Sequence, residues 1–198
     1  MVDDLMCDYL AAPGHKGLLG PLGTGILYVR PGMEERLQSI RTGGTGSESH
    51  TTVQPTTLPE KYESGNLNVP GIVGLGAGAK WLAERGIAAV REHAVTLTER
   101  LLAGLRGSNG IRIVGPQDAA GRVGVVSLTI DGYDPQEAAA VLATSFGIQS
   151  RAGLHCAPLM HKALGTDARG GTLRLSVGPF STTDDVDAAI EALKQMEM

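Results

Sequence analysis

Glycine constrains the first part of this chain more than any other residue: 28 of 198 residues are glycine, about twice the usual share of roughly 7%, and 14 of them precede residue 81. Such a stretch must be built from tight turns and from places where backbone approaches another group closely. The short apolar segment Asp8 to Ala12 ends at Pro13-Gly14 and predicts a buried strand running into a turn that carries His15 and Lys16. Gly20 to Gly25 then feeds Ile26-Leu27-Tyr28-Val29, a second strand. A dinucleotide-binding fingerprint needs its glycines between a strand and a helix. Here they precede a strand, so that reading is rejected.

From Arg41 to Pro70, Gly, Ser, Thr and Pro dominate without any sustained period, which predicts one long irregular loop of the kind that usually carries function. Gly71 to Glu84 predicts a closely packed helix, although Gly74, Gly76 and Gly78 each cost about 1 kcal/mol relative to alanine. Ile87, Val90, Ala94, Leu97, Leu101 and Leu105 recur every three or four residues, marking one face of a long helix suited to joining two domains. Beyond it the pattern alternates: strands at Ile111 to Val114, Val123 to Ile130, from Ile148 to Arg151, and Thr172 to Val177. Between and after them lie a helix opened by Asp134-Pro135, a short helix Pro158 to Leu164, and a last helix capped by Ser181-Thr182. The expectation is a small α+β domain.

With 42% hydrophobic residues the chain has enough apolar mass for a core, and a soluble globular protein is expected. The net charge of −4 and scattered Lys and Arg argue against nucleic acid, leaving a small molecule or a protein as partner. No apolar run approaches the roughly 20 residues that span a bilayer, so no membrane association and a cytoplasmic location are expected. Cys7 and Cys156 are read as free thiols.

Three residues could carry chemistry. Lys16 sits at a strand end in a glycine turn, suited to Schiff-base chemistry, whereas most such lysines are solvated surface. Cys156, in Arg151-Ala152-Gly153-Leu154-His155-Cys156, precedes a short helix beside basic residues, a setting that favours thiolate; a buried inert cysteine is the plain alternative, and a Cys156/His155/His161 metal site a remoter one. Arg174 interrupts an apolar strand, so a carboxylate partner is expected, either from the protein or from an amino-acid substrate.

In order along the chain, Cys7 to Lys16, Gly20 to Tyr28, Arg41-Thr42-Gly43-Gly44, Tyr62 to Asn68, Arg151 to Cys156 and Arg174 resemble cysteine desulfurases of the class-V aminotransferase family. The resemblance implies an α/β fold of the fold-type I pyridoxal-phosphate (PLP) transferase class. Residues 1–90 would be a remnant of the PLP-binding large domain and 91–198 the small C-terminal α+β domain. It implies PLP bonded to Lys16, His15 at the phosphate or ring, and Cys156 taking the sulfur of cysteine as a persulfide while alanine leaves. Arg174 would hold the substrate carboxylate with Arg151 assisting. It further implies a homodimer in which Gly43, Gly44 and Glu63 to Asn68 complete the neighbour's cofactor site, and a sulfur-acceptor protein of the type that serves iron–sulfur cluster assembly.

The chain departs from the family pattern at Pro13, which replaces a common serine, at Asn66, which replaces a common threonine, and in having 15 residues before the lysine where the family has about half its length. In the family the phosphate-binding turn, the ring-stacking side chain and the acid that pairs with the pyridinium nitrogen come from the half before the lysine, and none has a candidate here, so the resemblance is to the C-terminal half of such an enzyme. Selenocysteine lyase or aminotransferase activity on the same scaffold, and a non-catalytic binding module, are the competing readings.

Overall fold

The computed structural model describes residues 2–48 and 50–197. The chain divides into two compact units, Met1–Arg85 and Gly86–Met198.

In the first unit, a short 3₁₀ turn (Val2–Leu5) precedes β1 (Tyr9–Pro13) and β2 (Gly25–Val29), which pair antiparallel with Tyr9 opposite Val29 and Pro13 opposite Gly25. The expected burial of the first strand is not found. Exposed and half-buried residues alternate along β1, because its partner is β2 alone and no third strand extends this sheet among the described residues. Among the described residues, no further strand or helix follows β2 until α1 (Val69–Arg85).

The long loop is nonetheless pinned. Gly65 N–H donates to the Gly44 carbonyl (2.8 Å), and the Tyr62 hydroxyl donates to the Leu37 carbonyl (2.9 Å). Helix α1 starts two residues earlier than its glycines suggest, since Asn68 Oδ1 accepts from Gly71 N–H (3.1 Å) and Pro70 needs no donor in the first turn. Its glycines have a packing reason. A Cβ on Gly74 would stand 2.7 Å from the Pro21 ring, and one on Gly78 would stand 2.6 Å from the Leu18 carbonyl. The helix thus lies directly on the Leu18 to Pro21 backbone, closer than any side chain would allow.

The second unit contains α2 (Ile87–Leu105), β3 (Ile111–Val114), β4 (Val125–Ile130), α3 (Pro135–Phe146), β5 (Arg151–Gly153), α4 (Pro158–Leu164), β6 (Thr172–Ser176) and α5 (Thr183–Gln195). The strands form one antiparallel sheet in the order β3-β4-β6-β5. Strand alternation decides which face is core: Val126 and Leu128 on β4 stand opposite Leu175 and Leu173 on β6, and all four are buried. Leu97 and Leu101 of α2, Leu142 of α3 and Leu193 of α5 join them in a single cluster.

Sequence signals set the helix ends. Asp134 Oδ1 accepts from the Gln136 and Glu137 amides (2.8 and 2.9 Å), and Thr182 with Asp185 forms a complete capping box on α5. Helix α2 belongs wholly to the second unit, begins at Gly86 (φ 86°), and leaves Ile87 exposed while Leu97, Leu101 and Leu105 are buried. The strand expected from Ile148 begins three residues later, at Arg151, because Ile148 instead donates its N–H to Leu142 and closes the end of α3.

Candidate functional site

In the first unit, Lys16 and His15 lie exposed on the turn that follows β1. Gly14 N–H donates to Thr24 and Gly20 N–H to Gly14, both at 2.8 Å, so the turn is tied at its base while its outer residues remain open. Gly43 and Gly44 line an open hollow of about 390 Å³ together with Thr42, Thr45 and Gln54. The Gly43 amide donates to Gln54 Oε1 (3.0 Å), and the Gly44–Gly65 hydrogen bond brings the Gly43-Gly44 and Ser64-Gly65-Asn66 segments side by side. These two segments lie 20 residues apart in sequence and form one loop cluster.

In the second unit, the sheet face opposite the core carries a cross-strand row. Ser127 on β4 and Arg151 on β5 both pair with Arg174 on β6, so two arginine residues stand as direct cross-strand neighbours on one face. Like charges in such positions repel, and an anion between them relieves the repulsion. The carboxylate partner that the sequence predicts for Arg174 is not supplied by the protein. No ion pair among the described residues involves Arg174, and its Nε is buried without a hydrogen-bond partner. An unsatisfied buried N–H on a cation is costly, which makes this atom a receptor for an incoming carboxylate or similar anion.

Cys156 is exposed, with Arg151 Nη2 3.7 Å from its sulfur. It occupies a tight turn closed by the Ala157 N–H to Leu154 C=O bond (2.8 Å), whose two central residues, His155 and Cys156, have positive φ of 52° and 61° as in a type I′ turn. His155 Nε2 lies 3.0 Å from the Thr172 carbonyl and 3.1 Å from its hydroxyl. Gly171 makes this approach possible, because a side chain there would collide with the Gly153 carbonyl. Burial holds the His155 ring below the ordinary imidazole range, with nearby Arg174, His161 and Arg151 acting in the same direction against the hydrogen bond to Thr172. His161 is buried and pairs through Nδ1 with the Thr166 hydroxyl (2.7 Å). Both imidazoles are thus engaged by threonines, and no three His, Cys, Asp or Glu side chains among the described residues converge as metal ligands.

The structure therefore pairs Arg151 with Arg174 across β5 and β6, brings Cys156 of the following turn within 3.7 Å of Arg151, and ties His155 to Thr172 on β6. Thr172 and Ser127 were not singled out by the sequence, because a threonine or serine on a strand carries no signal until the register is known.

The family model for class-V aminotransferases matches residues 1–189. The chain belongs to this family. Among similar proteins, a probable cysteine desulfurase of Methanothermobacter thermautotrophicus is 34% identical over 96% of this class-V chain, and one of Pseudomonas aeruginosa is 36% identical over 96%. The solved apo structure of a cysteine desulfurase from Thermococcus onnurineus superposes with a TM-score of 0.86 at 30% identity, covering 98% of this chain. The cysteine desulfurase CsdA of Escherichia coli, in its S-sulfonic acid form, gives 0.82 at 29% identity and the same coverage.

This class-V protein is thus cysteine desulfurase-like in sequence and fold. It spans about half the length of the curated relatives it matches, 47% and 45% of the two named above. The family is pyridoxal phosphate dependent. The residues here suit that group in two respects: Lys16 offers an exposed amine on an open turn, and the buried, unpartnered Nε of Arg174 suits the carboxylate of an amino acid carried by the cofactor.

Proposed function

We propose that this chain carries the lysine and the sulfur-accepting cysteine of a PLP-dependent cysteine desulfurase. The reaction converts L-cysteine and the Cys156 thiol into L-alanine and a Cys156 persulfide. The observation that carries this reading is the Arg151–Cys156–Arg174 set, an exposed thiol beside the Arg151 guanidinium, with Arg151 the cross-strand partner of Arg174, whose buried Nε has no partner.

When bound, the cofactor supplies an electron sink for charge developing at the amino acid's Cα. Lys16 would hold it and would move the proton at the substrate Cα, with His15 at its phosphate or ring. Arg174 grips the substrate carboxylate through Nε and its terminal nitrogens. Arg151 assists, and its contact with Sγ favours the thiolate over the thiol. The Cys156 sulfur attacks the substrate sulfur. A new S–S bond forms as the substrate Cβ–S bond breaks, and the protons released by the two thiols are recovered in alanine's methyl group and the persulfide.

An exposed Cys156 then hands its outer sulfur to an acceptor protein, as iron–sulfur cluster assembly requires. We further propose a homodimer in which Gly43, Gly44 and the Glu63 to Asn68 segment of each copy border the other's cofactor, because these glycine-bearing loops form one cluster around an open hollow. A cytoplasmic location fits two free cysteines and the lack, among the described residues, of any helix long and apolar enough to cross a membrane.

The test is sulfide release from L-cysteine with a dithiol by the purified protein loaded with PLP. Cys156→Ala should abolish release while leaving borohydride-trapped PLP at Lys16 unchanged. Release that survives this change, or the absence of trapped cofactor at Lys16, overturns the reading. Faster alanine formation from selenocysteine, or keto-acid formation, would move the assignment to a selenocysteine lyase or an aminotransferase.

A further inference from the structure

One half-buried titratable group beside Cys156 has no task in sulfur transfer. His155 precedes the nucleophile, and its ring lies within hydrogen-bond reach of a β6 residue two places before Arg174. The Thr172 carbonyl can only accept, so Nε2 must be the donating nitrogen and carry the ring proton. Nδ1 then presents a bare lone pair, and that atom is buried with no partner.

The backbone at this point is unusual. His155 and Cys156 both have positive φ, and neither is a glycine or asparagine. Side chains in that region are held there only when their surroundings over-determine them. The Ala157 N–H bond to Leu154 closes the turn, but many residues could provide such a bond; the side-chain tie from the turn to β6 runs through the His155 ring.

We propose that His155, with its proton on Nε2, is the positioning residue for Cys156: its ring pegs the Leu154–Ala157 turn to Thr172 and so presents the sulfur beside Arg151. The proposal rests on Cys156 being the sulfur acceptor. It makes the presentation of Cys156 depend on the protonation of its neighbour. A second proton on Nδ1 would be a buried donor without an acceptor, on a ring whose charged or titratable neighbours are Arg174 on β6, Arg151 on β5 and His161 on α4. None of these offers negative charge, so although Nε2 still donates to Thr172, the cationic ring is disfavoured in its seat, and protonation favours its release together with the turn.

The experiment needs no cofactor, which separates its failure from failure of the desulfurase reading. The 198-residue protein is alkylated with iodoacetamide between pH 5 and 8.5, and modification of Cys156 and Cys7 is followed separately by peptide mass spectrometry. The rate at Cys156 is expressed relative to Cys7. At pH 8, His155→Ala is expected to slow Cys156 by about tenfold, the effect of losing roughly 1.4 kcal/mol of preference for the presented turn. His155→Gln can still donate to Thr172 and is expected to recover most of that loss.

Below the ordinary imidazole range, the relative rate of the wild type should fall away, whereas that of His155→Gln, which has no ring to titrate, should not. Should His155→Ala fail to fold, the comparison of wild type with His155→Gln still decides. An acid-side fall that persists in His155→Gln overturns the proposal, as does a wild-type rate that rises in acid relative to that of His155→Gln, which would mean the cationic ring activates the thiol directly.

Discussion

The two units treat their apolar residues in opposite ways. In residues 86–198, Leu128, Leu142 and Leu193 are fully buried, and side chains from three helices and two central strands meet in one cluster. In residues 1–85, Leu27 on β2 is 48% exposed and Ile40 in the long loop 99% exposed. A two-stranded sheet with few covering side chains is marginal by itself, whereas a four-stranded sheet under three helices closes its own core. Exposed apolar residues in such number mark a surface that functions while covered. The difference teaches that the second unit closes a core of its own, while the first, among the described residues, leaves most of its apolar side chains uncovered.

Four measurements can break or sharpen this contrast. The largest effect should be in amide hydrogen exchange: β4 and β6 should be protected by about a hundredfold or more over β1 and β2, since local opening spans the full range of stability within one chain. Equal protection would erase the contrast. Next, Leu128→Ala should cost about 2–5 kcal/mol in chemical denaturation, and Leu27→Ala less than about 1 kcal/mol, because only the first leaves a cavity. Asp134→Ala should cost about 1 kcal/mol through loss of two amide hydrogen bonds at the start of α3.

The smallest effect concerns pH. The folded His155 ring titrates below the ordinary value of 6.5, so the unfolded chain takes up a proton that the folded ring refuses. Its stability contribution is therefore complete above pH 6.5, falls as the pH drops towards the folded value, and levels off below it. The urea midpoint of the wild type should drop more than that of His155→Gln over this window. An identical drop in the two proteins would remove His155 from the balance.

What the sequence made legible follows from how local each signal is. The Asp134 cap, the Thr182 cap and the helix Pro158–Leu164 are set by side chains within four residues of one another, and they stand where the pattern places them. Burial of β1 depends on what lies over it, which five residues cannot encode, so an apolar strand was mistaken for an interior one. Arg174 was legible as a charge needing a partner. That its neighbours would be Arg151 and Ser127 depends on a strand register that no local motif specifies. The positive φ at His155 and Cys156 was invisible for a related reason, since neither residue advertises that conformation and the distant Thr172 holds it.

The glycines of α1 have a kinetic consequence. A helix carrying Gly71, Gly74, Gly76 and Gly78 gives up about 1 kcal/mol at each interior position relative to alanine, so in isolation it is a poor helix. It becomes favourable only when the Leu18 to Pro21 segment is seated in the space left at Gly74 and Gly78. The loop that carries Lys16 and the helix beneath it must therefore arrive together. Enlarging Gly74 or Gly78 would make the helix form more readily by itself while denying the lysine loop its seat.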